Sequence, residues 1–256
     1  MPDHIEWFSP DGLRAIASLI GSIAWPLLVL FVILLFHRQL KELMPRLTEV
    51  ELPGFKAKVE RELDQSAQAA EKAEGLSKAP TPGERQRAIQ VEKLTSDANL
   101  SFVRRQVEEL ASEYERVRGS MPASDARTRA MEVVVSKMRT IGRAAYPLRY
   151  ELSVSPSPGR RLQAIASLQI MPDFDDLLDW LVDRIDTERP FVAYHALVAL
   201  NAAATDDRAA SHLDVLQRVA DKLREKSTSL AIDTDQRHLA ATFVDRVKAL
   251  ASPSVH

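Results

Sequence analysis

From Ala15 to Phe36 the chain runs for 22 residues without a charged side chain. As a helix that stretch spans about 33 Å, enough to cross a hydrocarbon core of roughly 30 Å. Helices buried inside water-soluble proteins are seldom this long or apolar on every side. A cleaved signal peptide would need a basic leader and a shorter apolar stretch. Here Asp3, Glu6 and Asp11 precede the run, with Arg14 as the only basic residue. The sequence therefore predicts an outer tail at 1–12 and a transmembrane helix at 13–36. Arg38, Lys41 and Arg46 follow directly. By the positive-inside bias the expectation is a single-pass protein of the bacterial inner membrane, N-terminus outside and C-terminal bulk cytoplasmic.

Within the run, Ala17 with Gly21 and Ser18 with Ser22 form two small-xxx-small pairs that permit close helix approach. Pro26 removes a backbone donor and favours a kink. Trp7 and Phe8 suit an outer interface, whereas Trp25 falls near the middle of the span.

Residues 37–60 form a juxtamembrane segment. Around Pro53-Gly54 the pattern allows a short β-hairpin that pairs Glu51 with Lys56 and Glu49 with Lys58. The alternative is a bent linker running straight into a helix. A thin stripe of Val59, Leu63, Ala67 and Ala70 then predicts a charged helix, broken by the prolines and glycine of 77–84. A long helix follows to about Arg118, with Ile89, Val103, Val107, Leu110, Tyr114 and Val117 as its stripe. Residues 61–120 read as a helical stalk.

The remainder, 121–256, reads as a domain of helical repeats. Ser124 or Asp125 caps a helix whose apolar face holds Met131, Val134, Val135, Met138, Ile141 and Ala145. Arg129, Arg139 and Arg143 fall on the opposite face. Three such guanidinium groups suit a phosphate ligand, or a solvated face paired with acids. Next, two segments align at an offset of 32: Pro158 with Pro190, Leu162 with Tyr194, Ile165 with Leu197 and Leu168 with Leu200. Each proline fits a first helical turn. Each helix is followed by another, at 173–185 and 208–225, and a last helix spans 234–250. Trp180, Phe191 and Tyr194 would line the inner wall of such a stack and receive a partner.

The Pro-start helices with an Ala/Leu-rich face resemble HEAT-type repeats, over residues 157–250 and with a shorter period. With "SPSPGRRL" and "ERPFVAYHALVAL", the whole layout is similar to uncharacterised bacterial membrane-anchored helical proteins of the kind found in phage-defence neighbourhoods. That resemblance implies a mainly α protein and supplies no catalytic motif.

Chemistry is sparse. The chain has no cysteine, which excludes disulfides and thiolate zinc sites. Its six histidines form no metal motif, and His195 reads as a core residue bonded to backbone. The acidic group Asp173, Asp175, Asp176 and Asp179 reads as a helix start. No enzyme activity, cofactor or metal is expected. The charge is divided: residues 84–149 carry 13 Lys/Arg against 9 Asp/Glu, and residues 151–256 carry 12 against 16. The expected partners are lipid, further copies of the chain and an unidentified protein, not nucleic acid. The first reading is a non-enzymatic scaffold or adaptor. A membrane-disrupting or channel-forming effector and a phosphate-ligand sensor are the alternatives.

Overall fold

In the computed structural model the described residues are 53–73, 75–96, 100–229 and 234–252. Regular structure among them is entirely helical: α1 (Pro53–Glu71), α2 (Pro82–Thr95), α3 (Leu100–Ser120), α4 (Asp125–Thr140), the single turn α5 (Gly142–Ala145), α6 (Arg149–Ser153), α7 (Pro158–Ile170), α8 (Leu177–Thr187), α9 (Pro190–Ala203), α10 (Leu213–Ser229) and α11 (Thr234–Ala251). Two 3₁₀ turns, Tyr146–Leu148 and Ala209–His212, join them.

Helix starts follow local chemistry. Pro82, Pro158 and Pro190 open α2, α7 and α9, where the missing N–H would have had no partner. At α2 a full capping box forms. Thr81 Oγ1 accepts the Glu84 N–H at 3.2 Å, while Glu84 Oε2 accepts the Thr81 N–H at 2.7 Å. Ser124 and Ser157 cap α4 and α7 through their hydroxyls.

Of the two readings around Pro53-Gly54, the hairpin does not form on the described side of the turn, where the chain runs straight into a helix. Pro53 and Gly54 begin α1, because a proline that cannot donate suits a first helical turn as well as a bend. Residues 48–52 lie outside the described residues.

The expected stalk is also revised. Its long helix is two helices, α2 and α3, and both pack into the core. α3 lies against α4 and α7, burying Phe102, Val103, Val107, Leu110 and Tyr114. Its contact with α7 is close: a Cβ on Gly159 would sit 2.5 Å from the Ala111 carbonyl oxygen. From α4 onward the order is regular. α4, α7, α9 and α11 lie side by side, α8 packs on α9, and α10 on α11. The aligned pairs Leu162/Tyr194, Ile165/Leu197 and Leu168/Leu200 are all buried. The described residues from Pro53 on form one compact unit.

The single-pass inner-membrane assignment is corrected. Among the described residues no helix is long and apolar enough to cross a membrane. The longest, α3, has 21 residues and carries charges throughout, from Arg104 to Arg118. The run itself, with Ala17, Ser18, Gly21, Ser22 and Pro26, lies outside the described residues.

Candidate functional site

The most concentrated chemistry lies inside the helical core, where α4 is covered on two sides. α3 and α7 pack on one side, α1 and α2 on another. The second covering buries a polar stripe formed by Glu132, Ser136, Arg139 and Thr140.

Arg139 is the hub, with 1% of its surface exposed. Its Nε donates to Gln169 Oε1 at 2.6 Å. Its Nη1 lies 3.3 Å from both Glu84 Oε1 and Glu132 Oε1. Glu84 Oε1 also accepts the Ser136 hydroxyl at 2.9 Å. Ser136 and Ser66 of α1 sit 2.7 Å apart, and the Thr140 hydroxyl donates to Ser66 at 2.9 Å. Buried charges are tolerated only when paired and hydrogen-bonded, and two glutamates and a glutamine meet this cation.

The network reaches α9 through His195, which is fully buried. Its Nε2 stands 3.1 Å from Glu132 Oε2, and Gln169 Nε2 lies 3.4 Å from its Nδ1. Gln169 Nε2 also donates to the His195 carbonyl at 2.8 Å. One neutral tautomer fits both ring contacts: Nε2–H facing the carboxylate, Nδ1 accepting from the amide. Burial pushes the His195 pKa down, against the pull of Glu132. For Glu132 burial favours the neutral acid, but His195, Arg139 and the Ser77 N–H outweigh it and hold the carboxyl below its usual range. The ring's main side-chain partner is thus a carboxylate, where the sequence suggested backbone.

A cavity of about 160 Å³ opens beside this network. Glu84, Arg87, Glu132 and Arg139 line it, with Ala70 and Ala73 as an apolar wall. Arg139 Nη2 and Arg87 Nε are buried atoms without a hydrogen-bond partner.

The three arginines expected to clamp one phosphate are not brought together. Arg139 is buried among carboxylates; Arg143 Nε donates to Glu92 at 2.6 Å; Arg129 is exposed beside a separate hollow near Gly75 and Leu76. The expected partner-binding aromatics also part company. Phe191 and Tyr194 are buried, Phe191 stacking on Tyr114 of α3 with centroids 6.0 Å apart. Trp180 is half-buried, with the Arg184 guanidinium 5.4 Å from its ring centre. The helix expected to stand free as a stalk thus covers part of the wall expected to be open.

The acidic group is dispersed. Asp173 is buried and accepts from Arg149 Nε at 2.5 Å and from the Tyr150 hydroxyl at 3.2 Å. Arg149 is itself held between the Tyr146 and Tyr150 rings, 4.1 and 4.3 Å from their centres. Asp179 pairs instead with Arg218 and Lys222 of α10. Among the described residues no group of His, Cys, Asp and Glu is arranged to hold a metal ion.

At the far end of the stack, α10 and α11 leave two hollows of about 410 and 240 Å³ that meet at Arg224 and Val244. Leu223, Ala240 and Ala241 line the first, Val247 the second. Asp221 with Arg224 edges one helix, at 2.7 Å, and Asp245 with Lys248 the other, at 3.9 Å.

Compared with known proteins, the chain matches no family model, no curated protein and no solved structure, so its mainly α fold and the two sites above stand on their own geometry.

Proposed function

We propose that the chain is a non-enzymatic helical scaffold that assembles with further copies of itself and in that form receives a protein partner. The stack of α7 to α11 is read as a short HEAT-like array. In such arrays each helix pair covers its neighbour, and the last pair needs either a polar cap or another surface. The observation that carries the reading is the α10–α11 face, where a mainly apolar hollow and a second of mixed lining lie between edges bearing both signs of charge.

An edge with Asp221 beside Arg224, and another with Asp245 beside Lys248, is self-complementary under a twofold axis. Acid of one copy then meets base of the other in both directions. A second copy is therefore the occupant that fits this face. The buried network, by contrast, offers no exposed nucleophile or metal cage for catalysis.

Light scattering on the size-fractionated full chain tests the reading. At roughly 50 µM, a concentration at which a micromolar dimer is mostly assembled, the mass should be a multiple of the 28.6 kDa chain. Val244→Glu and Ala241→Glu should return it to the single-chain mass with helical content unchanged. A wild-type monomer, or an assembly indifferent to both substitutions, would remove the basis for the proposal.

A further inference from the structure

The two helices that cover α4 bury little apolar surface. Among the described residues of α1 and α2 the buried apolar side chains are Val59, Leu63, Ala88 and Val91, with Phe55 and Leu94 partly buried beside them. α7, with 13 residues, buries Leu162, Ala164, Ile165, Ala166, Leu168 and Ile170 by itself. Hydrophobic stabilisation scales with the apolar area removed from water, so α1 and α2 are held on by less of it than the helix on the other side of α4.

Polar bonds supply the rest of the seam. Ser66 of α1 meets the Ser136 and Thr140 hydroxyls, and Glu84 of α2 accepts from Ser136 and Arg139. Further along α2, Glu92 accepts from Arg143 of α5 in a partly exposed pair. Water can replace each of these partners, so breaking them has a small net cost, whereas exposing an apolar seam has no such compensation. Separation also strands no charge. Arg139 keeps Glu132 and Gln169, and Glu84 leaves with α2 into solvent. Local openings of native proteins are drawn from regions with few buried apolar contacts.

We propose that α1 and α2 form a strap that opens as one unit while α3 to α11 stay folded, uncovering the α4 stripe of Ser136, Arg139 and Thr140. The two helices move together because Ser136 bonds both, through Ser66 and Glu84, and because they pack on each other. This is independent of the assembly face, since neither helix lines the hollows of α10 and α11.

Hydrogen exchange of the full chain, followed by fragment mass spectrometry in urea below the unfolding transition, tests the strap. Interior amides of α1 and α2 should exchange at least ~100-fold faster than those of α7 and α9, after correction for intrinsic rates. Phe243→Leu leaves a void in α11, which packs on α9 and α10. It should speed exchange in α7 and α9 and leave α1 and α2 unchanged. A second readout uses the absence of cysteine from the chain. Ser136→Cys, under the strap, should react with a thiol reagent at least ~100-fold faster than Ser167→Cys, which is buried in α7. If all four helices exchange at one rate, or Phe243→Leu speeds all four equally, α1 and α2 leave only on global unfolding and the proposal falls. Unrelated rates in α1 and α2, or equal labelling of the two cysteines, would overturn it as well.

Discussion

Tyr114 of α3 and Phe191 of α9 stack with their rings 23° from parallel and 6.0 Å between centres. The two residues come from segments that the sequence assigned to separate domains, a stalk and a repeat array. Their contact ties the two into one core. Tyr114 is fully buried, and its hydroxyl accepts from Arg118 Nη1 at 3.3 Å. Tyr114→Ala should therefore lower unfolding free energy by about 3–5 kcal/mol, the usual cost of removing a buried ring. Tyr114→Phe should cost far less, since the ring contact survives. Urea denaturation followed by circular dichroism measures both, and near-equal losses would show that the hydroxyl dominates.

The α3–α7 crossing depends on a missing side chain. A Cβ at Gly159 would lie 2.5 Å from the Ala111 oxygen and 2.8 Å from its Cα. Backbone cannot swing aside as a flexible side chain can, so Gly159→Ala must part the helices and should cost at least about 1–3 kcal/mol. Gly119, near the end of α3, has nothing within 4 Å of its would-be Cβ. Gly119→Ala should be neutral or stabilising by up to about 1 kcal/mol, because alanine loses less backbone entropy in a helix. Opposite signs in the two midpoints would confirm that close approach, not helix propensity, fixes Gly159.

Features that depend on near neighbours in the chain could be read from the sequence. The Ser124 cap, the prolines of α7 and α9 and the 32-residue alignment all correspond to observed helices with buried faces. What covers a helix was not legible. The stripe from Val103 to Tyr114 shows that α3 has an apolar face, but the same stripe would serve a coiled coil. Arg139 shows the limit more sharply. Opposite an apolar face, an arginine suggests solvent, yet α1 and α2 cover that side of α4 as well. A faint signal was available, since Glu132, Ser136 and Arg139 follow helical spacing of four and three. Their partners Glu84, Gln169 and His195 are 30 to 63 positions away, and no local pattern joins them.

The His195–Glu132 contact makes stability depend on pH in a definite direction. Burial lowers the His195 pKa from its ordinary 6.5. Below that value the unfolded chain holds a proton that the folded chain lacks, so stability falls as pH drops from 6.5 toward the folded value. Glu132 has a folded pKa below its ordinary 4.5. Its contribution is present above 4.5 and disappears as pH falls through the lowered value. The two effects share a sign in adjoining windows. Tm should decline from roughly pH 7 to pH 5, and His195→Gln, which keeps an amide donor near Glu132, should flatten that decline. An unchanged slope in the variant would assign the acid sensitivity to other groups.

Arg139 tests whether the network stabilises the fold or mainly fixes which helices meet. Removing the cation alone leaves Glu84 and Glu132 facing each other in a buried site. Arg139→Met should therefore cost about 3–5 kcal/mol, the usual penalty for stranding a buried charge. Replacing the carboxylates too, in a triple variant with Glu84→Gln and Glu132→Gln, removes the stranded charges. It should recover most of the loss, because an ion cluster and a neutral interior of similar volume are often close in stability. Chemical denaturation of both variants measures the recovery. If the triple variant is less stable than Arg139→Met alone, then the glutamates contribute through Ser136, Thr81 and His195 independently of the arginine. In that case the capping box at α2 and the histidine contact at α9, not the guanidinium, hold these helices on α4.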